Sequence, residues 1–285
     1  MAAPDKFPLS PFVHRAAQKP PSKIRPVSMA LCFSMELTEF QLTVLGKASK
    51  TRGYGGYAAA SCRRHLERAW ELRERMPEVS VFLAITAEEE AATAIFHALR
   101  KRKYDHADKL KGWDHRYKAG VYPFLRLIGD VLSPPEGSLP FTLYFDEEDQ
   151  AKADILRIRM PIIVKDGRQY CLIPEPPLGL VSKGPDGKVR DYAKEVRSVA
   201  SEKGIESIYE YIKGLANERN KMLYATDSSL PKVEDASTAY KRHSEAALLN
   251  LIMYLLIEPH KKQSLPQEAL GAYLRILNRI EEKET

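Results

Sequence analysis

Two stretches of this 285-residue chain repeat apolar residues at helical spacing, and each carries one ionised side chain in the middle of its apolar stripe. The first stripe is Phe82, Ile85, Glu89, Ala92, Phe96, Leu99; the second is Ile205, Ile208, Ile212, Leu215, Arg219, Met222. Steps of three and four residues put each set on one helix face, so Glu89 and Arg219 are both expected to point at a core. Their neighbours fan outward, with Glu88 at the edge of the stripe and Glu90 nearer solvent. An isolated buried ion costs several kcal/mol even after relaxation, and deleting one partner of a buried pair costs about as much. Each charge needs a partner, and the simplest arrangement is that the two share a site.

The rest of the chain limits what that site can be. With 44% hydrophobic and 29% charged residues, a packed globular core is expected rather than disorder, as one large domain or two modest ones. The longest apolar stretch, Ala246 to Ile257, is interrupted by Asn250 and falls short of the roughly 20 residues that cross a bilayer, so no membrane span is expected. Residues 1–26 are rich in proline and basic residues and lack the apolar core of a signal peptide, which makes a cytoplasmic location the expectation. The three cysteines, Cys32, Cys62 and Cys171, are odd in number and widely spaced, with no CxxC. They read as reduced thiols rather than a disulfide framework or a zinc site, and no metal or cofactor is expected.

The net charge of +6 is unevenly spread. Between His97 and Lys118 stand eight basic residues (Arg100, Lys101, Arg102, Lys103, Lys109, Lys111, Arg116, Lys118) against three aspartates, with His106 and His115 among them. A concentrated basic surface suits RNA or another polyanion. The alternative is a solvated helix end and loop.

The pattern along the chain predicts a mainly α protein in which helices are interrupted by strands. Residues 1–30 read as an extended, proline-rich basic arm. Residues 35–46 fit a strand or a short helix equally well. After the turn-like Arg52-Gly-Tyr-Gly-Gly, helices are predicted over 57–76, closed by Pro77, over 79–103, and over 114–131, the last kinked or restarted around Pro123, which lacks a backbone donor. These make 31–132 the first part of a helical bundle. Residues 133–190 read as a β-rich insert, with strands at 139–145, 155–164 and 168–173 and a hairpin signal at Asp166-Gly167. Helical periodicity returns near Tyr192 and fills 191–285 as the second part, with Leu270, Leu274, Leu277 and Ile280 lining the last helix. No internal repeat is present.

Around Arg219 the string runs Asn217-Glu-Arg-Asn-Lys-Met-Leu-Tyr-Ala-Thr-Asp227. Arg219, Asn220 and Tyr224 together offer donors suited to a phosphate or a ribose hydroxyl. The plainer reading is a helix C-terminus with a tyrosine in the core. For Glu89 and Arg219 the plainer reading is a buried ion pair that fixes the register of two helices.

These residues carry a family resemblance. The segment from Phe82 to Ile95, with Glu89 and Glu90 on the acidic positions of an A-x-E-E-x-x-K-A pattern, resembles the motif helix of AbiV-type abortive-infection proteins in the HEPN superfamily. His115 and Lys118 resemble the family's H-x-x-K, and Arg219 to Tyr224 with Asp227 resembles its late R-x-x-x-L-Y-x-x-D element. The matches cover about half of the chain, outside the arm and the insert. The resemblance implies a HEPN-like antiparallel helical bundle, often dimeric, within a superfamily of metal-independent RNases, toxins and antiviral components. A homodimer, an RNA target and a phage-derived trigger or protein partner are what it implies as partners. The chain departs from the HEPN R-x(4–6)-H pattern, since Tyr224 stands where the histidine would and the next histidine is His243. Thr93 replaces the lysine after the two glutamates.

A ribonuclease can still be assembled if His115 substitutes from a neighbouring helix. Attack by a ribose 2′-hydroxyl needs a base, an acid and a cation on the phosphate. In that arrangement His115 is the base, Arg219 and Lys118 stabilise charge, Tyr224 hydrogen-bonds an oxygen, and Glu89 orients Arg219. Asn220 and the basic residues Arg100, Lys101, Arg102, Lys103, Lys109 and Lys111 hold the RNA backbone. The competing expectation is a non-catalytic sensor or binding protein of a defence system, in which Glu89 and Arg219 only hold the bundle together.

Overall fold

The computed structural model describes residues 37–132, 141–146, 152–163, 169–179, 192–223, 232–233 and 235–284. The expected arm, the Asp166-Gly167 turn, Tyr224 and Asp227 lie outside the described residues.

The ambiguous segment near residue 40 is a helix, α1 (Glu39–Lys50), started by a capping box in which Thr38 and Gln41 exchange hydrogen bonds. Helix α2 (Tyr54–Leu72) opens at Gly53, whose φ of +97° suits glycine. A Cβ on Gly56 would lie 1.7 Å from the carbonyl oxygen of Thr51, so the glycine run lets α2 start hard against the end of α1. Helix α3 (Pro77–Lys101) begins with its proline at the first position, where a missing N–H costs nothing. It packs mainly on α2 and on α8 (Ala236–Ile257). Its alanines explain how: Ala84, Ala87, Ala91, Ala92, Ala94 and Ala98 are all buried and let flanking helices approach closely. This helix is therefore covered on more than the single face that its stripe marks.

The predicted helix over 114–131 is two elements, α4 (His115–Ala119) and α5 (Val121–Leu132). The break falls at Gly120 rather than Pro123. Pro123 is the third residue of α5, within the first turn where backbone donors have no helical partner. At Gly120 a Cβ would come within 2.7 Å of the Tyr273 hydroxyl, so close packing selects the glycine there. A short α6 (Tyr192–Ser198) precedes α7 (Glu202–Leu223), and α9 (Ser264–Glu284) follows α8. Leu270, Leu274, Leu277 and Ile280 of α9 are buried, as their spacing predicts.

Three strands, β1 (Thr142–Phe145), β2 (Leu156–Ile163) and β3 (Gln169–Leu172), form an antiparallel sheet in the order β1-β2-β3. The register pairs Leu143 with Ile158 and Ile162 with Tyr170. Leu156 and Ile158 are buried while Arg157 and Arg159 are not, which accounts for the partial alternation in the sequence. Lys47 of α1 ties this region to the helices through Asp154 at 2.7 Å and through the Ala153 carbonyl at 2.6 Å. The protein is thus mainly helical with one small antiparallel sheet. Among the described residues no helix is long and apolar enough to cross a membrane.

Candidate functional site

Helices α3, α4 and α7 enclose a cleft of about 230 Å³ lined by Glu89, His115, Arg116, Ala119, Ile212, Leu215, Ala216, Arg219 and Asn220. The Glu89 carboxylate, 7% exposed, sits at its base. His115 Nδ1 lies 2.7 and 2.9 Å from the two carboxylate oxygens, Lys118 Nζ 3.2 Å and Arg219 Nη1 3.7 Å from them. Arg219 Nη1 is also 2.9 Å from His115 Nδ1. A carboxylate only accepts, so the ring proton rests on Nδ1 and is donated to Glu89, and the Arg219 guanidinium, itself a donor, then stands beside Nδ1 without a hydrogen bond to it. That tautomer leaves a lone pair on Nε2, which has no hydrogen-bond partner among the described residues. The His115 side chain is 54% exposed. Arg219 lies across the ring of Phe82 at 5.4 Å from guanidinium carbon to centroid, a cation–π contact that holds its plane.

The short α4 presents His115 and Lys118 one turn apart. Asp114 caps it by accepting from the Arg116 N–H at 2.9 Å. Burial would raise the Asp114 carboxyl, but hydrogen bonds from Arg116 and the charge of Lys111 hold it below the usual carboxylate range. The helix is fastened to α9: the Tyr273 hydroxyl donates to the Tyr117 carbonyl at 2.6 Å, the Tyr117 hydroxyl donates to Glu281 at 3.2 Å, and Lys111 meets Glu281 at 2.6 Å.

Each residue singled out in the sequence can now be placed. Glu89, His115, Arg219 and Asn220 line the cleft, and Lys118 contacts Glu89 without lining it. Lys118 was expected to meet phosphate; its side chain is only 10% exposed and lies on Glu89, so it balances that carboxylate instead. Glu89 was expected to orient Arg219, but its shortest contacts go to His115. The basic strip is only partly open. Arg100 donates to the carbonyls of Ala107 and Leu110, Lys101 and Arg102 are held by Glu258, and Lys111 is held by Glu281. Lys103 and Lys109 are exposed and form no ion pair among the described residues.

Sequence reasoning missed a second carboxylate–histidine pair. Glu88, expected at the edge of the stripe, is fully buried, and so is His243 of α8, with its Nδ1 2.8 Å from the Glu88 carboxylate. The Tyr211 hydroxyl donates to Glu88 at 3.1 Å. Arg242 pairs with Glu218 and places Nη2 2.9 Å from His243 Nε2, while Glu218 stands 3.7 Å from the same nitrogen. Burial opposes charge on His243, but the Glu218 and Glu88 carboxylates facing its ring outweigh it and raise its pKa above the ordinary histidine value. Burial likewise opposes charge on Glu218, yet His243 and Arg242 pull it below the ordinary glutamate value. Glu90, half-buried, is held above the ordinary glutamate value by burial and by the Glu89 charge, which Lys118 and a hydrogen bond from Ser61 offset only in part.

Among the described residues no group of three or more His, Cys, Asp or Glu side chains is placed to hold a metal ion. The chain matches no family model, no curated protein and no solved structure.

Proposed function

We propose that this is a HEPN-like abortive-infection protein whose cleft cleaves RNA, with His115 as the base and Arg219 as the phosphate-binding cation. The observation that carries the reading is the 2.9 Å approach of Arg219 Nη1 to His115 Nδ1 over a shared carboxylate. A histidine supplied by α4 thus stands beside the arginine even though the R-x(4–6)-H spacing is absent. The alternate reading, a non-catalytic sensor, is favoured by one observation: Glu89 already faces two cations, Lys118 and Arg219, and the His115 ring.

In the catalytic reading, Glu89 fixes the tautomer and orientation of His115, as a carboxylate does for a catalytic imidazole. The free Nε2 removes the proton from a ribose 2′-hydroxyl, whose oxygen attacks the adjacent phosphorus. Arg219 spreads its donors over the non-bridging oxygens, where negative charge grows, and Asn220 lies at the same rim. The P–O5′ bond breaks on the far side, the departing oxygen takes a proton from water in the open cleft, and a 2′,3′-cyclic phosphate remains. Lys118 pairs with Glu89 at 3.2 Å and does not reach the substrate.

Purified protein is expected to cut RNA in EDTA and to leave cyclic phosphate ends, and His115→Ala and Arg219→Ala are each expected to abolish cutting. Cutting that survives both substitutions overturns the catalytic reading. Intact RNA with unaltered folding in the wild type favours the sensor.

A further inference from the structure

The buried pair Glu88 and His243 lies beside the cleft without lining it, and both its members adjoin the site through the chain. Glu88 precedes Glu89 on α3, and Glu218, the other carboxylate facing His243, precedes Arg219 on α7. Successive helical residues point about 100° apart, so one turn of each helix carries a cleft residue on one side and a member of the buried cluster on the other. A shift of the Glu218 turn therefore moves Arg219.

The cluster has two hydrogen-bonding arrangements that differ by one proton. With neutral His243, Nδ1–H donates to Glu88 and the Nε2 lone pair accepts from Arg242, as the 2.9 Å separation fits. Arg242 then bridges the imidazole and Glu218, and Glu218 stays 3.7 Å from Nε2, beyond a good hydrogen bond. When a proton is added at Nε2, both ring nitrogens donate. Arg242 loses its acceptor and meets a like charge, while Glu218 gains a donor and is drawn toward the ring. The groups facing His243 are Glu88 from α3, Glu218 from α7 and Arg242 from its own helix. Tyr211 of α7 reaches it through Glu88, and Tyr122 of α5 touches Tyr211 ring to ring at 5.9 Å. Among the described residues no charged group of α1 or α2 lies within ion-pairing distance of it.

We infer that His243 is a positioning residue for the cleft: the proton on its Nε2 decides whether Arg242 or the imidazole holds Glu218, and the α7 turn transmits that choice to Arg219 beside His115. The inference rests on reading the cleft as the working site, but not on the reaction there. It makes the arginine–histidine geometry sensitive to pH through a residue that solvent does not touch. Burial of the cluster explains why few side chains are needed, since a charge exchange in a low-dielectric interior has large local consequences.

The test is a pH titration of the full chain with ring-labelled histidines, followed by NMR. In the wild type, the His115 signals are expected to show a second inflection at the pH where His243 titrates. In His243→Gln that inflection is lost, and in Glu218→Gln, which keeps Glu88, His243 and Arg242, it is lost as well. Identical His115 curves in the wild type and a folded variant overturn the inference, as does a His243 that keeps one protonation state from pH 5 to 9. If His243→Gln does not fold, Glu218→Gln decides alone. RNA cleavage is read in parallel on the wild type. A retained second inflection without cleavage rejects the ribonuclease reading and leaves this inference standing; cleavage without the inflection does the reverse.

Discussion

Glu88 and Glu89 are neighbours on one helix, and each binds a histidine through Nδ1 at a distance of 2.7 to 2.8 Å. Their surroundings are opposite. His115 is 54% exposed and has one nitrogen without a partner among the described residues, whereas His243 is wholly buried with both nitrogens occupied. The same pairing of groups is therefore suited to chemistry in one place and to holding helices in the other. The contrast separates what the two histidines should do when altered. A free lone pair at a cleft rim is worth much to a reaction and little to folding. A buried imidazole between carboxylates is worth much to folding.

The sharpest way to break the contrast is to delete the two histidines in turn. His115→Ala is expected to lower RNA cleavage by about 10²- to 10⁴-fold, the usual range for a lost general base, with unfolding free energy within about 1 kcal/mol of wild type in urea titrations. His243→Ala should do the opposite in urea, destabilising by about 3–5 kcal/mol because it leaves the buried Glu88 carboxylate with only the Tyr211 hydroxyl as a side-chain donor among the described residues. Equal losses of stability would erase the distinction.

Glu88→Ala and Glu89→Ala form the next comparison. Removing Glu88 strands Tyr211 and His243 in the interior and should cost about 3–5 kcal/mol in thermal or urea unfolding. Removing Glu89 strands only Lys118 there, since His115 and Arg219 reach water, and should cost about 1–3 kcal/mol.

The pH dependence of stability sharpens the contrast further. His243 is raised above its ordinary value of 6.5, so its contribution is complete below that pH and is lost as pH rises through the higher folded value. Glu218 is lowered below its ordinary 4.5, so its contribution is complete above that pH and is lost as pH falls through the lower folded value. The stability difference between wild type and His243→Gln should therefore be widest between about pH 4.5 and 6.5 and shrink on the alkaline side, in unfolding curves taken across that range.

The smallest effects belong to the open part of the basic strip. Lys103→Ala and Lys109→Ala should leave stability within about 0.5 kcal/mol, and each should reduce the salt slope of RNA binding by about 1 if it meets a phosphate. No change in slope would confine RNA to the cleft.

The front of the site was legible because two charges interrupt clean apolar stripes, and the fold supplies partners for both within one cleft. The rear was missed for a physical reason. The stripe test looks at one face, and α3 is buried on more than one, with alanines rather than large apolar residues marking the others. Glu88, one position from the flagged residue, was read as an edge. The same test would have found His243, which sits within Ala239, Tyr240, Ala246, Ala247, Asn250, Leu251 and Tyr254, all buried on α8. The break in the 114–131 helix was placed at its proline, but the packing of Tyr273 against Gly120 decides it, and no local pattern reveals a residue that distant. The strands were visible through β-type runs and turn residues.

Helix α4 is five residues long, too short to hold its own place, and Tyr273 and Glu281 of α9 hold it. The orientation of His115 is consequently inherited from residues more than 150 positions later in the chain. The platform from which His115 meets the Glu89 carboxylate is thus built by the far end of the chain, through the hydrogen bonds of Tyr273 and Glu281.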